Sequence, residues 1–202
     1  MATEYHHGDL PAALRAAAVE LIEERGPAKF SLREVARRAG VSHAAPSHHF
    51  GDAQGLLSSV AAEGFSTLTK AMLEATEGVE DPRERLIACG RAYITTALEN
   101  PGHYAVMVTH EFTDEDEPYL QECSFGSYAV LLETVEYLRD TLNPALDVDS
   151  TATLLWAGAH GFVEICPVRE HVAENTGTAM STVEELLIAW TDMVIDGIRS
   201  RG

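Results

Sequence analysis

Apolar residues recur at helical spacing along nearly the whole chain. In the first predicted helix Leu14, Ala18, Leu21 and Ile22 form one apolar face, and glutamates occupy the opposite side. No segment shows a sustained alternation of apolar and polar residues between turn signals, which is the pattern of a strand. The chain is therefore predicted to be all-α, with about nine helices.

Residues that begin and end helices stand between these apolar faces. The predicted start signals are the caps Asp9, Ser42, Asp52 and Asp81 and two capping-box patterns, Ser31-x-x-Glu34 and Ser181-x-x-Glu184. Gly26-Pro27 and Gly40 are predicted to end the first two helices. Residues 118–142 and 149–172 are predicted to be two long helices, because the apolar pattern is broken between them.

Composition narrows the class of protein. The chain has 202 residues, of which 46% are hydrophobic, so it can fill a substantial core. No apolar run approaches the roughly 18 residues of a membrane helix, and the first residues lack the layout of a secretory signal. Cys89, Cys123 and Cys166 are too few and too far apart to predict a disulfide framework or a Cys-x-x-Cys metal site. We expect a cytoplasmic protein with no membrane partner, cofactor or metal.

Charge is distributed unevenly along the chain. Residues 1–50 carry six basic and six acidic side chains, together with five of the nine histidines. Residues 51–202 carry eight basic and 26 acidic side chains and so hold the whole net charge of −18. Acidity of this kind generally keeps a protein soluble. It also indicates that only the N-terminal part approaches a polyanion.

Two short helices near residue 40 have the layout of a helix-turn-helix. The first ends at Gly40, a Gly-x-Ser turn follows, and the second is predicted from Ser42 to His49. In this motif the second helix enters the major groove of DNA, where small side chains permit a close approach to the bases. Ala44 and Ala45 can contact thymine methyl groups, and His43 can donate or accept at base edges. The alternative is a helical hairpin that serves packing alone.

The first 65 residues resemble the DNA-binding domain of the TetR/AcrR family of bacterial transcriptional regulators. The similarity begins at YHHGDL (residues 5–10) and is carried by FSLREVARRAGVS (residues 30–42), His49-Phe50 and Leu56-Leu57. Further along, WAGAHG (residues 156–161) is similar to the Trp…His-Gly motif of a subfamily with a WHG C-terminal domain. The resemblance implies a three-helix helix-turn-helix DNA-binding domain in residues 1–65 and a ligand-sensing and dimerisation domain in residues 66–202.

The resemblance also implies which residues contact DNA. Arg33 matches a DNA-contacting position at the start of the second helix, and Ser47, His48 and His49 match positions that largely contact phosphates. The predicted interface comprises Ser31, Arg33, Ser42, His43, Ala44, Ala45, Ser47, His48 and His49.

Three positions depart from the family pattern. Ser47 stands in place of an aromatic residue, His48 in place of a basic or aromatic one, and Ala53 in place of a lysine. The recognition helix thus carries no permanent positive charge, which weakens phosphate neutralisation. Protonation of its histidines would restore part of that charge, so the sequence predicts tighter DNA binding at acidic pH.

A sensing pocket is expected from helices between residues 82 and 166. Its candidate lining comprises His103, Tyr104, Met107, His110, Phe125, Tyr128, Trp156 and His160. The same mixture of residue types also fills ordinary cores. His160 shares a helix face with Glu164, so a metal-binding or catalytic pair is an alternative to a hydrogen-bonded core histidine. No set of nucleophile, base and orienting group supports an enzyme.

The last predicted helix carries a wide apolar stripe. Its members are Val183, Leu187, Trp190, Val194 and Ile198. The resemblance implies that the last two long helices build a four-helix interface across a homodimer, and we assign the stripe to that interface. The alternative is an ordinary core stripe within one chain.

The sequence therefore predicts a ligand-responsive, homodimeric transcriptional repressor. It would bind palindromic double-stranded operator DNA and leave it when a small-molecule effector shifts the spacing of its two DNA-binding heads. A second hypothesis, from a different class, is a helical small-molecule-binding or interaction protein with weakened or lost DNA binding. The departures at Ser47, His48 and Ala53 favour this second hypothesis.

Overall fold

The computed structural model describes residues 9–200, apart from the side chain of residue 170. Residues 5–8 of the stretch that resembles the TetR/AcrR family lie outside this range. The described residues form nine α-helices, two short 3-10 turns and no strand. The helices are α1 (Leu10–Arg25), α2 (Leu32–Arg38), α3 (Ala45–Phe50), α4 (Ala53–Thr76), α5 (Pro82–Glu99), α6 (Pro101–Met107), α7 (Pro118–Leu142), α8 (Val148–Thr176) and α9 (Val183–Arg199). The predicted all-α fold is confirmed.

Three of the predicted helix caps are present. The carboxylates of Asp9, Asp52 and Asp81 each accept a hydrogen bond from the backbone N–H three residues later, at 3.1, 2.9 and 2.9 Å. Each bond satisfies one of the backbone donors that a helix leaves unpaired in its first turn.

Neither predicted capping box forms at the predicted residues. Ser31 is the N-cap residue of α2 as predicted, but its side chain makes no cap bond, and the carboxylate of Glu34 binds arginine side chains. The second box lies one residue later than predicted, where Thr182 and Glu185 cap each other's backbone N–H.

The two long C-terminal helices are present, and the second is longer than predicted. The prediction for residues 118–142 is confirmed as α7. Helix α8 begins after Asp147, whose carboxylate accepts the N–H of Ser150 at 2.7 Å, and it continues through Pro167 to Thr176. No helix in the described part of the chain is both long and apolar enough to cross a membrane.

The described chain divides into two compact units. The N-terminal unit extends to Phe65 and also contains Asn100–Ser124. Its core joins α1, α2 and α4 to this later segment, because Val106 and Leu120 are 1% and 6% exposed in the same apolar cluster as Leu14. The sequence assigned residues 100–124 to the C-terminal domain. The functional domain boundary at residue 65 stays a prediction.

The C-terminal unit consists of Ser66–Glu99 and of the chain from Phe125 onward. Its apolar core is built from α5, α7, α8 and α9, with Leu86, Val135, Leu155 and Ile195 among its buried members. The neighbouring turn before α5 is held by Arg85, which donates to the Thr76 carbonyl at 3.0 Å.

Candidate nucleic-acid interface

Helices α2 and α3 form the predicted helix-turn-helix. Val35 and Ala36 are fully buried, and the N–H of Val41 donates to the Ala36 carbonyl at 3.0 Å, which closes the turn. Gly40 has a φ of +67°, a conformation that side chains with a Cβ rarely adopt. The glycine in the predicted Gly-x-Ser turn is therefore required by the backbone.

Helix α3 begins two residues later than predicted. The sequence made Ser42 its cap, whereas the helix starts at Ala45 and Ala44 occupies the cap position without a side-chain bond. Pro46 explains the shift. A proline has no N–H to donate, so it is tolerated in the first turn of a helix but not a full turn further in.

Eight of the nine predicted DNA-binding residues are exposed. Ala45 alone is half-buried, and the neighbouring Pro46, which is not in the predicted set, is buried. Neither Ser31 nor Ser42 uses its hydroxyl as a cap. The exposed residues are Ser31, Arg33, Ser42, His43, Ala44, Ser47, His48 and His49. The structure thus brings the predicted set together on two consecutive short helices and the turn between them.

The exposed end of α3 is a pair of imidazole rings. The rings of His48 and His49 pack edge to face with centroids 5.2 Å apart, and His49 lies 6.3 Å from the ring of Phe50. Both histidines are exposed, whereas Phe50 packs against the apolar core.

Glu34 lies close to three arginines, one on α1 and two on α2. Its carboxylate accepts two hydrogen bonds from Arg37, at 2.7 and 2.9 Å, and lies 3.9 Å from Arg25 and 3.5 Å from Arg38. The hydrogen bonds from Arg37 lower the pKa of Glu34 to about 2, so it stays ionised at neutral pH. Arg38 also binds the carboxylate of Glu24 on α1.

This ion-pair cluster was not predicted from the sequence. The spacings of three and four residues from Glu34 to Arg37 and Arg38 were the available local signal, because such pairs are neighbours on a helix. The bond from Arg38 to Glu24 has no such signal, since 14 residues separate the partners.

No side chain fits at Gly55, where α3 meets α4. A Cβ at this position would lie 2.1 Å from the carbonyl oxygen of Phe50. The glycine therefore lets the end of α3 and the start of α4 approach each other closely.

The predicted pocket residues are distributed over both units. His103, Tyr104, Met107 and His110 belong to the N-terminal unit. His103 Nε2 lies 3.6 Å from the Glu63 carboxylate, and a Cβ on Gly64 would lie 2.5 Å from Met107 Sδ. Tyr104 is 7% exposed, whereas the side chain of His110 is 72% exposed and lies 3.2 Å from Glu115.

The other four pocket residues belong to the C-terminal unit. The rings of Tyr128 and Trp156 pack edge to face with centroids 6.1 Å apart, and Phe125 is 67% exposed. His160 is half-buried and Glu164 is exposed. Among the described residues, no group of three or more His, Cys, Asp or Glu side chains is arranged to hold a metal ion. The pocket itself stays a prediction.

The stripe assigned to a dimer interface is largely turned into its own chain. Leu187 and Ile198 are 1% and 5% exposed within a single protomer, and Trp190 packs against Phe162 with ring centroids 5.5 Å apart. Val183 and Val194 are half-buried. These contacts fit the alternative of an ordinary core stripe, most clearly for Leu187 and Ile198, and the assignment of the stripe to a dimer interface stays a prediction.

Two family models match the chain. Residues 14–60 match the model described as "Bacterial regulatory proteins, tetR family", and residues 86–179 match the "Tetracyclin repressor-like, C-terminal domain". The second span includes the WAGAHG motif. A comparison with curated proteins finds no match.

Solved structures share the fold over nearly the whole chain. A protein of unknown function from Rhodococcus sp. RHA1 is 32% identical, with 97% of this chain and 98% of that chain covered and a TM-score of 0.78. The TetR family regulator PfmR from Thermus thermophilus is 19% identical, with 91% and 97% covered and a TM-score of 0.70. The fatty acid degradation regulator FadR from Bacillus halodurans is 14% identical, with 95% and 97% covered and a TM-score of 0.74.

The two family models together account for the helix-turn-helix and for most of the C-terminal helices, in the order that the sequence resemblance implied. Both models describe regulatory proteins and not enzymes. The chain belongs to the TetR family of bacterial regulatory proteins.

Proposed function

We propose that the protein is a homodimeric transcriptional repressor that binds palindromic operator DNA in the cytoplasm and is released from it by a small molecule. The observation that carries this proposal is the exposed, small-residue surface of α3 and its preceding turn on a well-formed helix-turn-helix. A helix with such small side chains can lie deep in the major groove, where base edges are read.

A selection of genomic fragments tests the DNA-binding part of the proposal. The full-length protein is incubated with sheared genomic DNA at low and at physiological salt, and bound fragments are sequenced. Recovery of a palindromic motif that persists at physiological salt is the expected result. Binding that ignores sequence and disappears as salt rises would contradict it, because such binding reflects phosphates alone.

Ala44→Glu identifies the surface that reads the DNA. Ala44 is exposed at the N-terminus of α3, where a carboxylate suits the helix dipole and does not disturb folding. The same carboxylate repels phosphates, so the variant is expected to lose the recovered motif. Ala179→Glu is the matched control, since it places the same side chain at an exposed site of the C-terminal unit.

Homodimerisation is supported by an exposed apolar stripe on α8. Leu154, Ile165, Val168 and Val172 are 71%, 56%, 61% and 39% exposed, and their spacing places them on one helix face. Met193 on α9 is 67% exposed. A second copy of the chain is the partner that we propose for these residues, since apolar stripes of this size on a helix generally pack against another helix.

Val168→Glu tests this interface. A charge in the middle of a buried apolar contact is costly, so the variant is expected to sediment as a monomer where the wild type sediments as a dimer. Ala44→Glu serves as the control and is expected to remain dimeric. A Val168→Glu protein that stays dimeric would place the interface elsewhere.

The effector is proposed to bind in the C-terminal unit, among the four predicted pocket residues that belong to it, Phe125, Tyr128, Trp156 and His160. Both tryptophans, Trp156 and Trp190, belong to this unit, so their fluorescence reports on ligands that bind nearby. A screen of small molecules should find compounds that change this fluorescence and also release the recovered DNA. Compounds that change the fluorescence without affecting DNA binding would contradict the proposed coupling.

A second candidate function is a helical small-molecule-binding protein without effective DNA binding. One observation favours it: no lysine or arginine occurs between Arg38 and Lys70, so α3 and the start of α4 have no permanent cation. The genomic selection separates the two candidates, because only the repressor recovers a palindrome at physiological salt.

A further inference from the structure

The helix-turn-helix lacks the cations that would hold a DNA backbone at its recognition helix. Helix α3, its preceding turn and the first half of α4 fall in the interval from Arg38 to Lys70, which contains no lysine or arginine. Neutralisation of phosphates by lysine and arginine supplies essentially all of non-specific DNA binding. Any permanent charge at this interface must therefore come from residues before α3.

Most of those earlier cations are already neutralised. Arg15 pairs with Glu63 at 3.1 Å. Arg25, Arg37 and Arg38 form a cluster with three glutamates, whose members are Glu20, Glu24 and Glu34. Three positive and three negative charges cancel in this cluster, so it contributes little net attraction to a polyanion.

The N-terminus of α4 offers no substitute. A helix N-terminus attracts anions through its unpaired N–H groups. Here the carboxylate of Asp52 accepts the Gly55 N–H at 2.9 Å, and its negative charge repels a phosphate. The side chain of Gln54 in the same turn donates to the Thr113 carbonyl at 2.8 Å.

Lys29 and Arg33 are the remaining cations of the described N-terminal segment. Both are exposed, and neither has a carboxylate within 4.0 Å among residues 9–200. Lys29 ends the 3-10 turn Pro27–Lys29, whose Phe30 N–H donates to the Pro27 carbonyl at 3.1 Å. Phe30 itself packs against the apolar core and so fixes the position of the turn.

The backbone directs Lys29 to the same side as the predicted interface. Phe30 and Ser31 both have extended backbone conformations, in which successive side chains point to opposite sides. Exposure follows this alternation: Phe30 and Leu32 pack inward, whereas Lys29, Ser31 and Arg33 are exposed. Lys29 therefore shares its side with Ser31, a residue already assigned to the DNA interface.

We propose that Lys29 binds a DNA phosphate and that Lys29 and Arg33 together supply the permanent positive charge that the recognition helix lacks. This inference rests on the proposed DNA-binding function. Two cations per head predict that the logarithm of the affinity falls with the logarithm of salt concentration with a slope of about −2 for each head.

Lys29→Gln tests the inference in the full-length protein. Affinity is measured as a function of salt for a duplex carrying the recovered motif and for a random-sequence duplex. In the variant, the slope of log affinity against log salt concentration is expected to be shallower by about one unit per head. Binding to both duplexes is expected to weaken by a similar factor. Lys29→Arg should keep the wild-type slope, because it keeps the charge.

Lys70→Gln is the matched control. It removes the same charge from another exposed lysine, which lies in the C-terminal unit and 3.9 Å from Glu74. If Lys29→Gln and Lys70→Gln change the slope equally, the effect is one of net charge and the inference is overturned. The inference is also overturned if the salt-dependence slope of Lys29→Gln equals that of the wild type.

The same measurements separate this inference from the proposed function. If the wild type binds its motif and only Lys29→Gln is without effect, the phosphate contact is wrong and the repressor remains. If the wild type shows no preference for any duplex, the proposed function fails and the inference fails with it. Circular dichroism of each variant checks that the exposed substitution leaves the helices intact.

Discussion

Gly158, in the WAGAHG motif, has no space for a side chain. A Cβ at this position would lie 2.3 Å from Cζ2 of Trp190, whereas Gly161, three residues later on the same helix, has nothing within 4 Å. The two glycines look alike in the sequence. Only the packing of α9 against α8 assigns the first one to the contact with Trp190.

We expect Gly158→Ala to destabilise the protein and Gly161→Ala not to do so. The first change forces the Trp190 ring to move, and overpacking of this kind costs about 1–3 kcal/mol. The second removes a flexible residue from a helix interior and should stabilise by about 0.5–1 kcal/mol. Chemical denaturation of both variants measures the difference, and equal stabilities would contradict the assigned contact.

His43, His48 and His49 are all exposed on the proposed DNA-binding surface. The sequence predicts tighter DNA binding at acidic pH, so affinity for the recovered motif is expected to increase as pH falls from about 8 to 6.

The control is a variant with glutamine at all three histidine positions. Glutamine cannot be protonated in this range, so the pH dependence should become flat. Equal wild-type affinities at both pH values would refute the hypothesis, whatever the variant does.

Among the elements, α5 and α9 are held together by two ion pairs. Arg83 binds Asp192 through two hydrogen bonds, at 2.5 and 3.1 Å, and Arg91 donates to Glu184 at 2.9 Å. Between them a Cβ on Gly90 would lie 3.1 Å from Leu187 Cδ1, so the two helices approach closely. Because α9 packs against its own chain, Leu187 and Ile198 face the core of the same protomer. Part of the predicted interface stripe is therefore buried.

The pair between Arg83 and Asp192 predicts a pH-dependent contribution to stability. The hydrogen bonds from Arg83 lower the pKa of Asp192. A carboxyl group with a lowered folded-state pKa stabilises the fold above its ordinary value of about 4, and that contribution is lost as pH falls through the folded-state pKa. Asp192→Asn should therefore lower the melting temperature at pH 7 by a few degrees and have less effect in acid.

Asp196→Asn is the matched control, because Asp196 is exposed on the same helix and pairs with no cation among the described residues. Differential scanning calorimetry of both variants at several pH values checks the prediction. A deficit of Asp192→Asn that is constant down to the acid limit, or equal to that of Asp196→Asn, would exclude the ion pair as its source. High salt should reduce the deficit, since the pair is partly exposed.

At the scale of the whole molecule, the N-terminal unit is discontinuous in sequence. The described residues up to Phe65 share their core with Val106 and Leu120, which follow after the first segment of the C-terminal unit. Gly102 shows how close this association is, because a Cβ there would lie 2.9 Å from side-chain atoms of Val19 and Glu23 on α1.

A fragment of residues 1–65 is therefore expected not to fold cooperatively. It lacks the buried side chains that residues 100–124 supply, and a domain of about 60 residues is marginal even with a complete core. Thermal unfolding followed by circular dichroism should show a broad, weak transition, compared with a sharp one for the full chain. A cooperative transition in the fragment would show that the segment is dispensable.

Local signals predicted the elements well, and the reason is physical. Helix caps, the turn glycine and the apolar faces depend on residues within about four positions of one another, and this information is complete in the sequence. Asp9, Gly40 and Asp52 act as predicted for this reason. At Ser42 and Ser181 the helix start is displaced from the predicted residue, whereas at Ser31 the predicted start is present without the predicted side-chain bond.

By itself, the sequence determined that the chain is all-helical, that a helix-turn-helix occupies its N-terminal part, and that α3 contains no lysine or arginine. Only the tertiary structure decided which cations remain available to bind a polyanion. The ion pairs Arg38–Glu24 and Arg15–Glu63 each join separate helices. The tertiary structure also decided that residues 100–124 complete the N-terminal core and that Leu187 faces its own chain. Contacts between distant segments depend on how whole helices pack, and no local pattern carries that information.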